Sequence, residues 1–309
     1  MSIRSTTLTA LVLSLLIGCV PATDDDDSAA SECGAPYQPF DAGNYQNQLL
    51  RIGAYEQIVA IRKSETFAAA DFGTIEDLYI NTASLQSKVQ GRGDDHDYAV
   101  VLDIGVEMDS SITTAIAAGK ADDQIAVQGQ IIDKTLQRFF YLSVHHEMMK
   151  SQADDPVALD VQVGWDEGFG YFGVDNSGAD PSGIANTLSK RDVEFGVTLV
   201  AEVFNGLLDG RCFIESGDFA VLPPIIDDVD TAMLRGFALS VVHEMDAYDE
   251  DPLIKGWEGR LYWNVIAPYV ASVDAAAAAA VEAEWALGAD AIDPSVVRGA
   301  VTDAFGFDL

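Results

Sequence analysis

Apolar positions recur at intervals of three and four along most of this chain, the spacing of one face of a helix. After Asn44, residues Leu49, Leu50, Ile52, Tyr55, Ile58, Val59 and Ile61 form one broad stripe. Thr74 to Ile80 predicts a second helix capped by Thr74. Residues 90–97 read as a loop, and Tyr98 to Val106 fits either a strand or a buried helical turn. A helix restarts near Ser110 and ends around Gly119. The longest helical pattern covers 122–151, with Ile125, Val127, Ile131, Ile132, Leu136, Phe139 and Phe140 among its apolar positions, and Asp154-Asp155-Pro156 breaks it. Helices are expected at 157–173 and 185–208, with irregular chain at 174–184 and at 211–226, where Pro223-Pro224 ends the segment. Two more fall at 228–249 and 253–270. Ala275 to Ala280 favours helix strongly, and a last helix begins after Asp293-Pro294. The pattern predicts an all-α helical bundle, with a single helical domain over 41–309.

Two stretches of this pattern look like copies, which makes the bundle one of two pseudo-repeated helical hairpins, 122–173 and 228–270. His146-Glu147 returns as His243-Glu244; Trp165, Glu167 and Tyr171 return as Trp257, Glu258 and Tyr262. Asp166 has no counterpart.

The repeated residues carry the candidate chemistry. Glu167 and Tyr171 are four apart, as are Glu258 and Tyr262, so each pair shares one helix face. Paired about a pseudo-twofold axis, the two carboxylates and two phenols would face one cleft. A phenol ionises near pH 10, and a trivalent hard cation such as Fe³⁺ can take its proton. Carboxylate plus phenolate is therefore a sensible ferric site; the competing reading is a pair of core tyrosines with hydrogen-bonded hydroxyls. Glu147 and Glu244 lie in apolar surroundings, where an ionised carboxylate needs a metal, a base or a proton. The neighbouring His146 and His243 point about 100° away from them. Neither His-Glu-x-x-His nor Glu-x-x-His occurs, which weighs against a zinc protease and a ferritin-like centre. His96 and His145 are expected to be exposed. Lys190-Arg191, after a Gly-Pro loop and at the expected start of a helix, is a candidate anion site.

Charge and the N-terminus narrow the setting. The chain has 309 residues, 17 Lys+Arg and 50 Asp+Glu, a formal charge of −33. This argues against nucleic acid, whose phosphates call for clustered cations, and against electrostatic binding to anionic lipid. Arg4, an apolar run from Leu8 to Ile17 and Leu16-Ile17-Gly18-Cys19 resemble a bacterial lipoprotein signal, 1–18, with Cys19 as the lipidated residue. Val20 after that cysteine favours the outer membrane, with the protein facing the periplasm or the cell surface. Residues 19–40, with Asp24 to Asp27, read as an acidic disordered tether. Cys33 and Cys212 then remain for a disulfide.

An ordered series of segments also resembles the algal iron-assimilation proteins, the phytotransferrin-like family: Gln128 to Leu136, Trp165 to Gly168 with Tyr171, Ser189 to Arg191 with Phe195-Gly196, and Glu258-Gly259 with Tyr262 and Pro268. The resemblance implies a cell-surface or periplasmic protein that binds ferric iron together with carbonate; joined to the lipoprotein signal, it leads to the expectation of a lipid-anchored protein that captures iron for uptake or storage rather than an enzyme. On it, Asp166, Glu167, Tyr171, Glu258 and Tyr262 would be iron-site residues, and Lys190-Arg191 a carbonate or framework site. Two rival readings stand beside it: a metal-dependent hydrolase using the His-Glu pairs, with Glu147 or Glu244 as base, and an imelysin-like surface protein whose repeat is purely structural.

Overall fold

The computed structural model describes residues 34–40, 45–99, 103–153 and 156–309. The expected signal peptide, Cys19 and Cys33 lie outside them; Cys212 is disulfide-bonded. Twelve α-helices and no strand occur among the described residues. They are α1 (Gln46–Arg62), α2 (Phe72–Asn81), α3 (Leu85–Gln90), α4 (Ile104–Lys120), α5 (Ile125–Met149), α6 (Ala158–Phe172), α7 (Gly183–Phe195), α8 (Leu199–Ser216), α9 (Leu222–Asp246), α10 (Pro252–Val273), α11 (Ala275–Trp285) and α12 (Pro294–Phe305).

Two helices of 25 residues, α5 and α9, organise the rest. α5 packs against α4, α6 and α10, and also meets α1, α7 and α9. α9 packs against α8, α10 and α12 and meets α7. A helix enclosed on several sides must be apolar nearly all round, and Phe139, Phe140, Val144, Met148, Val229, Met233, Phe237 and Val241 meet that need. The charged and histidine side chains buried on the same helices stand out against these: Asp133, Lys134, His145 and Glu147 on α5, Asp230 and Glu244 on α9. Each of α5 and α9 is followed by a 3-10 turn and then by a helix, α6 or α10, that packs back on it.

Several boundaries depart from the sequence expectation for local reasons. The helix expected over 185–208 is two helices, because Gly196 ends α7 at φ +68°, a conformation that suits glycine. Pro223 and Pro224 do not end an irregular segment. They sit in the first turn of α9, where a missing N–H costs nothing. Pro268 lies inside α10. Thr74 lies within α2, which starts at Phe72, and α4 starts at Ile104 rather than near Ser110. The short helix α3 was not foreseen.

The last residues of the expected tether are packed rather than free. Tyr37 is fully buried and stacks on Phe169 with ring centroids 3.8 Å apart. Its hydroxyl donates to Asp166 Oδ1 at 2.7 Å, and the Phe40 amide donates to Asp166 Oδ2 at 2.9 Å. Arg211 lies over the Phe40 ring at 4.6 Å.

Candidate metal centre

The two carboxylate–phenol pairs do not share a cleft. Glu147, Glu167 and Tyr171 line one pocket with Gln48 and Arg51. Glu244, Glu258 and Tyr262 line another, with His243, Lys190 and Arg191. Each group carries its own cations. In the first, Glu147 pairs with Lys150, one turn on, and with Arg92 Nη2 at 3.2 Å; Lys150 also reaches Glu167 at 3.7 Å. Arg51 donates to the Tyr171 hydroxyl at 2.6 Å. In the second, Lys255 reaches Glu244 at 2.9 Å and Glu258 at 3.7 Å, while Lys134 lies 3.9 Å from Glu258 and 5.0 Å from the Tyr262 ring centroid. A lysine thus bridges two glutamates in both places.

Electrostatics follows from this arrangement. Burial pushes the Glu147 carboxyl up, but Lys150 and Arg92 outweigh it and hold the group below its ordinary value. Glu167 is raised, by burial first and by Glu147 second. Glu258 is raised in the same way by burial and by Glu244. The compensation that the buried glutamates demand is supplied by the cations of Arg92, Lys150 and Lys255. Burial also raises both phenols, Tyr171 and Tyr262, against the nearby cations.

Other predicted ligands are engaged elsewhere. Both Asp166 oxygens hold the N-terminal segment, as described above, and burial raises its carboxyl to about 6. His146 pairs with Asp95 at the surface. His243 Nδ1 lies 2.6 Å from Glu194 on α7. Lys190 and Arg191 sit in the second half of α7, not at its start.

The histidines expected to be exposed form the most distinctive polar group in the protein. His96, from the loop before α4, and His145 on α5 are both buried, with Asp230 of α9 beside both. Their potential ligand atoms all lie within 4.8 Å of one another. His96 Nε2 is 3.0 Å from Asp230 Oδ1, and His145 Nδ1 is 3.4 Å from the same oxygen. Donors held at about 2.0–2.1 Å by a tetrahedral ion stand roughly 3.4 Å apart. The group could therefore hold a metal ion once the stacked rings of His96 and His145 turn to aim one nitrogen each at a common point.

Two details of its surroundings fit that role. Asp94 Oδ1 lies 2.7 Å from His96 Nδ1, the carboxylate partner that fixes a ligating imidazole with its other nitrogen inward. Neither ring nitrogen of His145 makes a hydrogen bond, although the ring is buried and stacked on His96 at 3.6 Å. An unsatisfied buried polar group costs about 1–3 kcal/mol. Burial works against protonation of His96, but its hydrogen bonds to the Asp230 and Asp94 carboxylates outweigh it and raise its pKa to about 9. The Tyr141 hydroxyl, one turn before His145, lies 3.0 Å from His96 Nε2, and Tyr98 stacks on His96 from the outside.

Sequence reasoning missed this group because its three residues come from positions 96, 145 and 230, with no common motif. The one available signal was His145 itself, placed among Leu142, Val144 and Met148 in an apolar stretch of the longest helical pattern.

No protein-family model matches this chain, and no curated protein or solved structure matches it.

Proposed function

We propose that this protein binds a first-row transition-metal ion through His96, His145 and Asp230. The observation that carries the reading is His145: a buried imidazole with neither nitrogen hydrogen-bonded, its Nδ1 3.4 Å from a carboxylate oxygen that also meets His96. Two imidazoles and one carboxylate suit zinc or ferrous iron, whose borderline character matches that donor set. A second reading, ferric iron, is favoured by Tyr141, whose oxygen stands beside His96 Nε2 and would supply a phenolate. This moves the ferric proposal away from Tyr171, whose hydroxyl accepts from Arg51, and from Tyr262, whose ring has the Lys134 ammonium 5.0 Å from its centroid. Bound carbonate and kinship with the phytotransferrin-like proteins belong to that ferric reading and stand or fall with it.

The role is capture of the ion rather than catalysis, at an outer-membrane surface to which lipidated Cys19 would anchor the chain. Matching α5–α6 and α9–α10 as copies of one ancestral hairpin remains part of this proposal, supported by the recurring Glu–Lys–Glu bridge. The test is to add Co²⁺, Zn²⁺ or chelated ferric iron to the purified protein and record its visible spectrum and metal content. Stoichiometric uptake with cobalt d–d bands that His145→Ala abolishes supports the divalent reading. A tyrosinate-to-iron charge-transfer band lost in Tyr141→Phe supports the ferric one. No uptake of any of the three ions would overturn both.

A further inference from the structure

In a chain with 17 Lys+Arg and 50 Asp+Glu, every cation has acids at hand, so a place where cations outnumber acids is unexpected. The pocket of 220 Å³ between α1, α5, α7, α9 and α10 is such a place. Arg62, Lys63, Lys134, Lys190, Arg191 and Lys255 line it, against Glu56, Asp133, Glu244 and Glu258.

The acids are largely committed. Asp133 takes Arg62 at 2.7 Å and Lys134 at 3.0 Å, and also accepts from Tyr55 and Gln137. Lys255 takes both Glu244 and Glu258. Glu56 accepts the Gly183 amide at 2.7 Å. Lys63 and Lys190, at the mouth, are left without an ion pair or hydrogen bond among the described residues. They face each other closely enough that burial, then Lys63 and Lys134, lower the Lys190 pKa. Deeper in the wall, Arg191 is buried and reaches Glu194 with Nη1 at 3.2 Å, while its Nε has no partner. Arg62 Nε is equally unpartnered.

We infer that this pocket binds a small divalent oxyanion, phosphate or the phosphate group of a small monoester, at Lys63, Lys190, Arg62 and Arg191. Two free ammonium groups match two negative charges, and a bicarbonate ion would leave one unmatched. Two guanidinium groups, each with an Nε–H that has no partner, suit an oxyanion whose oxygens accept from such a fork. Asn186 and Thr187, on the same turn of α7, add neutral groups at the pocket wall. The carboxylates at the pocket favour phosphate over sulfate, since phosphate keeps a proton to donate to them. This site lies apart from His96, His145 and Asp230, none of which lines it, and does not depend on metal binding.

Calorimetric titration of the full-length protein, in a low-ionic-strength buffer free of phosphate, tests the inference. Inorganic phosphate should bind at one equivalent, and more tightly than sulfate or bicarbonate. Glycerol phosphate in a parallel arm identifies whether the monoester or the free ion is preferred. Lys63→Met with Lys190→Met should weaken phosphate binding at least tenfold, while Lys88→Met, outside the pocket, leaves it unchanged. The paired substitution removes no ion pair, so its unfolding curve should stay at the wild-type midpoint or rise; should it misfold, Lys190→Gln alone serves. Absence of phosphate binding, preference for bicarbonate, or equal affinity in the double variant and Lys88→Met would overturn the proposal.

Discussion

Two kinds of buried polar group sit on the same pair of central helices. The Glu147–Lys150–Glu167 and Glu244–Lys255–Glu258 groups balance themselves with lysines from the same or the next helix. The His96–His145–Asp230 group does not: its carboxylate is shared between two imidazoles, and one imidazole has no hydrogen bond. Both kinds contain residues that bind metals. The difference is whether the chain has already supplied the compensating cation. A carboxylate pair with an ammonium between it has no need of an ion, whereas an orphaned imidazole beside a carboxylate has a need that an ion meets.

The largest effect that would break this comparison is on metal affinity. Asp230→Asn removes the only charged donor of the histidine group and should lower affinity for zinc by more than about 100-fold, the upper end of losses seen even when supporting residues change. Glu147→Gln and Glu244→Gln should leave it within about twofold, read by competition with a chromophoric chelator. Loss of binding in the glutamine variants instead would return the metal to the carboxylate groups.

Stability sharpens the contrast between the two carboxylate groups themselves. Arg92 and Glu147 are both buried, so Arg92→Met leaves the Glu147 carboxylate with Lys150 alone and should cost about 2–3 kcal/mol in urea unfolding, below the loss for a fully unpaired buried charge. Lys255 is more exposed, and Lys255→Met should cost less, roughly 1–2 kcal/mol near neutrality after allowance for solvent screening. That second loss should depend on pH. Glu258 already has a raised carboxyl, and removing Lys255 raises it further. A group whose folded pKa is raised favours the folded state at low pH and loses that contribution as pH rises through the folded value. The variant should therefore lie closest to wild type near pH 5 and farthest near pH 8. A pH-independent difference would show that Glu258 is ionised in both proteins.

The smallest effect concerns Asp166, which was expected at the metal and instead holds the segment around Tyr37. Its carboxyl is raised to about 6 by burial, so the neutral form is the one that the folded state favours. Its contribution is complete below pH 4 and falls away as pH rises past 6. Amide exchange at Tyr37 and Phe40 should accelerate modestly between pH 5 and 7.5 beyond the intrinsic rate, and Asp166→Asn should remove the extra acceleration.

Part of this was legible along the chain. A 3.6-residue apolar period survives any helix arrangement, so α1, α5, α6, α9, α10, α11 and α12 follow from pattern and from breakers such as Asp154-Asp155-Pro156 and Asp293-Pro294. Proline misled at 223 and 224, because the same residue that ends one helix also opens the next. The glutamates and tyrosines of the hairpins were visible because they repeat. Their meaning was not, since Arg51, Arg92 and Lys134 reach them from other parts of the chain.

The sequence by itself determined the helical class, the acidic surface and the fact that Glu147 and Glu244 must be compensated. Only the tertiary structure decided how. Burial and pairing are properties of neighbours in space, and residues 96, 145 and 230 become neighbours only when α5 and α9 pack together and the loop before α4 folds over them.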